Sequence, residues 1–269
     1  MPKNYTGEYW DTIIRKSYGG NNEDFWRGHL QEVYQELIDR WMDKSRGGLV
    51  LKTDLYDEAV SEHNLIAICR QKSERVIGTD VSFEVAVAAR RRMIKERNGW
   101  HDAVCSDVRN LPFKSESFDQ IVSNSTLDHF SREESIRTSL KELYRLMKPG
   151  GFLLITLDNP SNPVVCLRNL APYRLLKLSG LIPFYMGVTL SKPQLIRVLE
   201  SCNFMVREST AIVHSPRILA IWTGRILDKI GSEWIKAYIK RFLRIFERLE
   251  KFPTRYMTGY YVAVKATRR

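Results

Sequence analysis

Long apolar runs are missing from this chain. No stretch of about 18 consecutive apolar residues occurs, because Arg168, Arg174, Lys177, Arg225 and Lys229 interrupt the most apolar segments. That argues against a spanning helix. The opening residues Met1-Pro2-Lys3-Asn4-Tyr5 contain no apolar signal core, so the expected location is cytoplasmic. Cysteine is also scarce. Cys69, Cys105, Cys166 and Cys202 stand far apart, with no CxxC pair and no histidine at ligand spacing, which predicts reduced thiols and neither a zinc site nor a disulfide framework. Internal repeats and low-complexity segments are absent as well.

What remains is 269 residues with 43% hydrophobic content, enough for one well-buried α/β domain with embellishments. The formal charge of +11 is compatible with nucleic acid, an anionic membrane surface or an acidic small substrate, so the placement of the charges has to discriminate.

Phe25, Leu30, Val33, Tyr34, Leu37, Ile38 and Trp41 recur at helical spacing and predict a helical preamble over residues 1–47. From Leu49 onward, short apolar or β-branched runs alternate with helical segments, the pattern of βαβ units. Strands are expected near 49–54, 75–80, 102–107, 118–123, 152–158, 204–212 and 260–266. Helices are expected near 57–70, 82–97 and 131–147, with Ser82 as an N-cap. Residues 48–269 then form the main domain, with an apolar, proline-punctuated insertion near 160–190 and a basic amphipathic one near 216–252. In the latter, Ile235, Tyr238, Ile239, Phe242, Ile245, Phe246, Leu249 and Phe252 are expected on one face, with Lys236, Lys240, Arg244 and Arg248 repeating beside it.

Acidic residues close two of the predicted strands. In an open parallel sheet a nucleotide lies across the strands' carboxyl ends, where an aspartate can accept both hydrogen bonds of a ribose diol. Asp80 ends RVIGTD and Asp107 ends AVCSD. The next element reads SFDQIVSNSTLDHF, and the following helix runs into LYRLMKPGGFLLIT through a Pro-Gly-Gly turn.

Taken together, DVRNLPFKSESFDQIVSNSTLDHF and LYRLMKPGGFLLIT resemble the class I S-adenosylmethionine-dependent methyltransferases, especially those acting on small molecules. The resemblance covers about residues 48–160 and more loosely 190–213 and 258–267. It implies a Rossmann-like α/β fold, mostly parallel, with helices on both faces and an antiparallel last strand. It implies S-adenosylmethionine as cofactor, with Asp80 and the neighbouring Val81 at the ribose, Asp107 and Val108 at the adenine, and Asn124 beside the methionine portion. Leu111 and Phe113 are candidate walls for the base, and Asp119 and Lys148-Pro149-Gly150-Gly151 are expected to be structural.

The departure lies at the first strand, where the family has an acidic residue followed by a glycine-rich turn. Here the residues are Leu49-Val50-Leu51-Lys52-Thr53-Asp54-Leu55-Tyr56, with no glycine. Either Thr53 or Asp54 contacts the methionine amino group, with Lys52 or an arginine at its carboxylate, or the pocket is degenerate and the protein binds or regulates without catalysis. For transfer, His129 is the candidate base, paired with Asp128. The alternative is that His129 caps or packs the next helix. Asn159 and Asn162 are candidates to face the acceptor. Leu170, Tyr173, Leu181, Phe184 and Tyr185 predict an apolar, lipid-like acceptor methylated at oxygen or carbon, and no RNA-binding module is recognisable. Helix 231–252 offers a peripheral membrane contact, or packs on the domain with its basic side in solvent.

Overall fold

The alternating pattern resolves into seven strands in one sheet. The computed structural model describes residues 6–17, 24–42, 48–95, 101–178, 185–217, 223, 224, 226 and 232–268. Strands β1 (Leu49–Thr53), β2 (Arg75–Asp80), β3 (His101–Cys105), β4 (Phe118–Asn124), β5 (Met147–Asp158), β6 (Phe204–Ile212) and β7 (Tyr261–Arg268) lie in the order β3-β2-β1-β4-β5-β7-β6. The first five pair in parallel, and β7 runs antiparallel to both of its neighbours. This is the expected Rossmann-like arrangement, and its strand order reverses between β1 and β4.

Successive residues of each strand point to opposite faces, and both faces are apolar. Val50, Val76, Val122 and Leu154 join one buried cluster, while Leu51, Ile77, Ile121 and Leu153 join the other. A parallel sheet covered on both sides requires this near-continuous apolar run. Helices α1 (Gly7–Ser17) and α2 (Asp24–Trp41) precede the sheet, and α3 (Tyr56–Val60), α4 (Leu65–Arg70) and α5 (Phe83–Lys95) follow its first strands. Residues of α2, α4 and α5 cover the first face. The second is covered by α6 (Glu133–Leu146) and by a later helix over Lys192–Ser201.

The helix expected over 57–70 is interrupted. Asn64 Oδ1 accepts the Ala67 N–H at 2.8 Å and starts α4 afresh, because an N-cap side chain satisfies a donor left open at a helix start. Ser82 caps α5 as expected, accepting the Val85 N–H at 3.0 Å, and Asp11 of α1 accepts the Glu84 N–H at 3.2 Å. The residues before β1 are therefore part of the domain's core. Ile14, Val33, Leu37 and Ile38 are buried in the same cluster as Val50 and Val76.

After β5 come α7 (Pro163–Leu170), α8 (Tyr173–Leu178) and α9 (Lys192–Ser201), while α10 (Glu233–Glu247) and α11 (Arg255–Thr258) lie between β6 and β7. The orientation of α10 departs from the single-face expectation. Lys240 pairs with Glu32 of α2, and Arg244 pairs with both Glu32 and Glu36, so part of the basic row faces inward. Leu243 is buried there and Ile235 and Ile239 pack on the core, while Tyr238, Phe242, Ile245 and Phe252 are exposed. Acidic residues on α2, far away in sequence, account for the rotation.

Candidate functional site

A cavity of about 210 Å³ opens at the carboxyl ends of the central strands, where the strand order reverses. A parallel sheet leaves a crevice at such a switch point. Thr53, Asp54, Asp80, Val81, Asp107, Val108 and Asn124, the seven residues expected around the cofactor, all line it, as does His129. The central seam is closed by hydroxyls: Thr53 Oγ1 at the end of β1 donates to Ser123 Oγ of β4 at 2.9 Å.

The glycine-free turn has a definite construction. Asp54 adopts φ +80°, the left-handed region that glycine enters freely and that aspartate tolerates better than most residues. Its Oδ1 accepts the Tyr56 N–H at 2.6 Å, a local bond that holds the turn without glycine. Lys52 supports it from beneath. Its ammonium donates to the Asp54 carbonyl and pairs with Glu58 Oε2 at 2.9 Å, with both side chains 1% exposed. Glu58 Oε1 in turn accepts the Leu65 and Ile66 N–H groups at the start of α4. Lys52 therefore does not reach a cofactor carboxylate, which corrects that expectation. The arginines on the wall are Arg27 and Arg217. Arg27 pairs with Asp57, and the Arg217 guanidinium lies 4.7 Å from the Tyr260 ring centre.

Asp80 links two loops. Its Oδ2 accepts the Leu55 N–H at 2.9 Å and its Oδ1 the Ser82 N–H at 2.8 Å. Burial, reinforced by the charge of Asp54, pushes the Asp80 carboxyl up to about 7 despite these two donors. Burial likewise raises Asp54 to about 6 against the pull of Lys52. Asp107 differs. Burial acts to raise it, but hydrogen bonds from Arg109 outweigh that and hold it below the ordinary carboxylate value.

His129 ends a short 3₁₀ turn after β4, with its ring 4.8 Å edge-on from the Trp10 ring. Asp128 is fully buried and does not line the cavity. Its Oδ2 accepts the Asp158 N–H at 2.9 Å and the Ser125 hydroxyl at 3.0 Å. Burial, then the charge of Asp158, pushes it up to about 6, opposed by His129. Its observed contacts tie β4 to β5. Asn124 lines the cavity, and its Oδ1 is buried with no hydrogen-bond partner among the described residues.

Other expectations move. Leu111 and Phe113 stay off the wall; Leu111 is buried in the core and the Phe113 ring packs on Phe118 at 5.1 Å. Asn159 donates to the Tyr256 and Gly259 carbonyls, and Asn162 caps α7 and donates to Thr258, so both are structural. Asp119 is structural as expected, accepting the Leu49 N–H and pairing with Lys148. Among the described residues of 160–190, Met186 alone lines the cavity, while Leu170 is 77% exposed. Leu181 and Phe184 lie outside the described residues. Much of the cover comes instead from the N-terminal helices, through Trp10, Trp26, Leu30 and Tyr34. The aromatic residues clustered among the first helices were the available signal.

The methyltransferase-domain family matches residues 59–155, starting just beyond the altered turn. Residues 59–155 are thus similar to a methyltransferase domain, and the fold is shared with solved methyltransferase structures. The chain is 41% identical over 59 residues to human probable tRNA methyltransferase 9B, covering 22% of the chain and 13% of that protein. It is 41% identical over 66 residues to phthiotriol/phenolphthiotriol dimycocerosates methyltransferase 1 of Mycobacterium ulcerans, covering 23% of the chain and 22% of that protein. The chain thus spans less than a quarter of the length of either relative. A solved structure of geranyl diphosphate C-methyltransferase from Streptomyces coelicolor, in complex with S-adenosyl-L-homocysteine, superposes with TM-score 0.57 at 14% identity, over 88% of the chain and 78% of that one. The relatives' names include both tRNA and lipid-like acceptors, so the domain's kinship does not select an acceptor class.

The cavity suits S-adenosylmethionine electrostatically. S-adenosylmethionine carries a sulfonium and an ammonium against one carboxylate. The wall sets Asp54, Asp57, Asp80 and Asp107 against Arg27 and Arg217, an acidic excess inside a chain of net charge +11. The partnerless Asn124 oxygen is an acceptor for which an ammonium is a fitting donor.

Proposed function

We propose that this chain transfers the methyl group of S-adenosylmethionine to oxygen or carbon of a small, apolar or lipid-like acceptor. The observation that carries this reading is the mixed lining of one cavity. Acidic residues after the central strands contribute to it, and so do the apolar or aromatic side chains of Trp10, Trp26, Leu30, Tyr34, Phe130 and Met186. An apolar wall with few polar groups selects apolar ligands, whereas a nucleobase reader needs a basic track leading to its pocket.

In this reading Asp80 accepts the ribose hydroxyls from its remaining lone pairs, and Val81 and Val108 flank the adenosine. Asp107, oriented by Arg109, faces the adenine amine. Thr53, Asp54 and Asn124 receive the ammonium. When bound, the cofactor supplies an activated methyl group, so the protein's task is alignment. His129, fixed edge-on by Trp10, takes the proton of a hydroxyl acceptor, and Asp128 holds the His129 turn from behind as a positioning residue.

Calorimetric titration with S-adenosylmethionine and S-adenosylhomocysteine, followed by methyl transfer to lipophilic phenols and quinones, tests this reading. Micromolar cofactor affinity and turnover on such acceptors are expected. A folded protein that binds neither ligand overturns it in favour of a degenerate, non-catalytic module, the reading that the missing glycines support. Cofactor binding with transfer to tRNA alone overturns the acceptor class.

A further inference from the structure

We propose that the outer face of α10 is a docking surface for an anionic lipid bilayer. The inference goes beyond methyl transfer and does not rest on it. One face of α10 is committed to the domain through Ile235, Ile239 and Leu243, and through Glu247, which accepts from the His214 and Ser215 N–H groups and meets His29 Nε2 at 3.1 Å. The opposite face carries a second apolar row. Trp234 is 77% exposed, Tyr238 65%, Phe242 47% and Ile245 54%, and Phe252 just beyond the helix is 56% exposed. Steps of four, four and three residues put the first four on one stripe. The Trp234 and Tyr238 rings stack at 6.1 Å, only 20° from parallel, and both are exposed to solvent.

Charge selects the occupant. Arg241, Arg248 and Lys251 are exposed beside this stripe. Among the described residues none of the three has a carboxylate within ion-pair distance, in contrast to Lys240 and Arg244, which are spent on α2. The acid on the outer helix, Glu233, is bonded to Lys236. Tryptophan and tyrosine favour the boundary between water and hydrocarbon, and unpaired arginine and lysine at that depth meet anionic headgroups. Three cations set among bulky apolar groups are too sparse for a nucleic-acid backbone, which is bound by many phosphate contacts. At 15 residues the helix is about 22 Å long, too short to cross a bilayer, and no helix among the described residues is long and apolar enough to do so. It would lie in the interface plane. The helix beneath it, α2, also supplies Trp26, Leu30 and Tyr34 to the cavity wall.

The test is co-sedimentation of the intact chain with vesicles of phosphatidylcholine alone and of three parts phosphatidylcholine to one part phosphatidylglycerol. Two variants accompany it, Trp234→Ser with Phe242→Ser, and Arg241→Gln with Arg248→Gln and Lys251→Gln. All five side chains are exposed, so both variants should melt at the wild-type temperature. The wild type should bind the anionic vesicles at least about tenfold more tightly than the neutral ones. The apolar variant should lose about tenfold or more on both vesicles, and the charge variant should lose the preference for the anionic ones. Absence of vesicle binding, or equal binding by wild type and variants, overturns the proposal. So does a wild type that is dimeric without lipid while the apolar variant is monomeric, since a second copy would then cover the stripe. Binding to tRNA that both variants abolish, with vesicle binding unchanged, also overturns it.

Discussion

Asp80 Oδ2 accepts the backbone N–H of Leu55 at 2.9 Å. Through this bond the acid at the end of β2 holds the turn that follows β1. The acid proposed to hold the ribose is thus also a brace of the glycine-free turn.

Replacing Asp80 should separate these roles. Asp80→Asn keeps one acceptor oxygen but loses the charge, and cofactor affinity should fall at least about tenfold, or ~1.4 kcal/mol. Asp80→Ala leaves both the Leu55 and Ser82 N–H groups without their partner and should additionally cost about 1–3 kcal/mol of stability. Titration calorimetry and urea unfolding read the two effects. Unchanged affinity in both variants would remove Asp80 from the ribose.

The raised carboxyls predict a pH dependence with a definite sign. From an ordinary value of 3.8, Asp54 stands at about 6 and Asp80 at about 7. A carboxyl whose pKa is higher in the folded protein stabilises the fold below its unfolded value, and that contribution is lost as pH rises through the folded value. The ligand-free melting temperature should therefore decline between about pH 4 and pH 7. A cationic cofactor favours the ionised carboxylates, so its stabilising increment should grow over the same window and binding should release protons. Melting curves with and without S-adenosylhomocysteine and S-adenosylmethionine, and calorimetry in buffers of different ionisation enthalpy, measure this. A pH-independent increment for S-adenosylmethionine would contradict it.

The Lys52–Glu58 pair is buried on both sides, so removing one partner strands a charge in the core. Lys52→Met should destabilise by about 3–5 kcal/mol. The double variant with Glu58→Gln should recover much of that loss, because glutamine keeps an acceptor for the Leu65 and Ile66 N–H groups. Urea unfolding of both single variants and the double variant gives the coupling. Losses that simply add in the double variant would show the pair to be uncoupled.

His129→Ala should lower turnover on a hydroxyl acceptor by about a hundredfold or more and leave the cofactor dissociation constant unchanged. Single-turnover transfer followed over pH is the measurement. A fully active variant with an unaltered pH profile would leave His129 as the packing partner of Trp10.

Much of this was legible in the chain itself. The strand positions could be read because a parallel sheet buried on both faces needs short continuous apolar runs. Asp80, Asp107 and Asn124 could be located because acids and amides at strand ends interrupt that pattern abruptly. What the sequence by itself determined, then, was the sheet, the helices that cover it and the ring of polar residues at the strand ends. All of these follow from local periodicity and from side chains close to the strands that hold them. Only the tertiary structure decided that Lys52 turns under the first turn to meet Glu58, that Asp128 points away from the cavity, that α1 and α2 rather than the 160–190 segment supply much of the cover, and that α10 turns part of its basic row toward Glu32 and Glu36. Each of these depends on a partner brought close by folding, and in α10 that partner lies some two hundred residues away. A periodic pattern shows that a helix has faces, but which face turns inward is set by the charge and shape of the neighbour it meets.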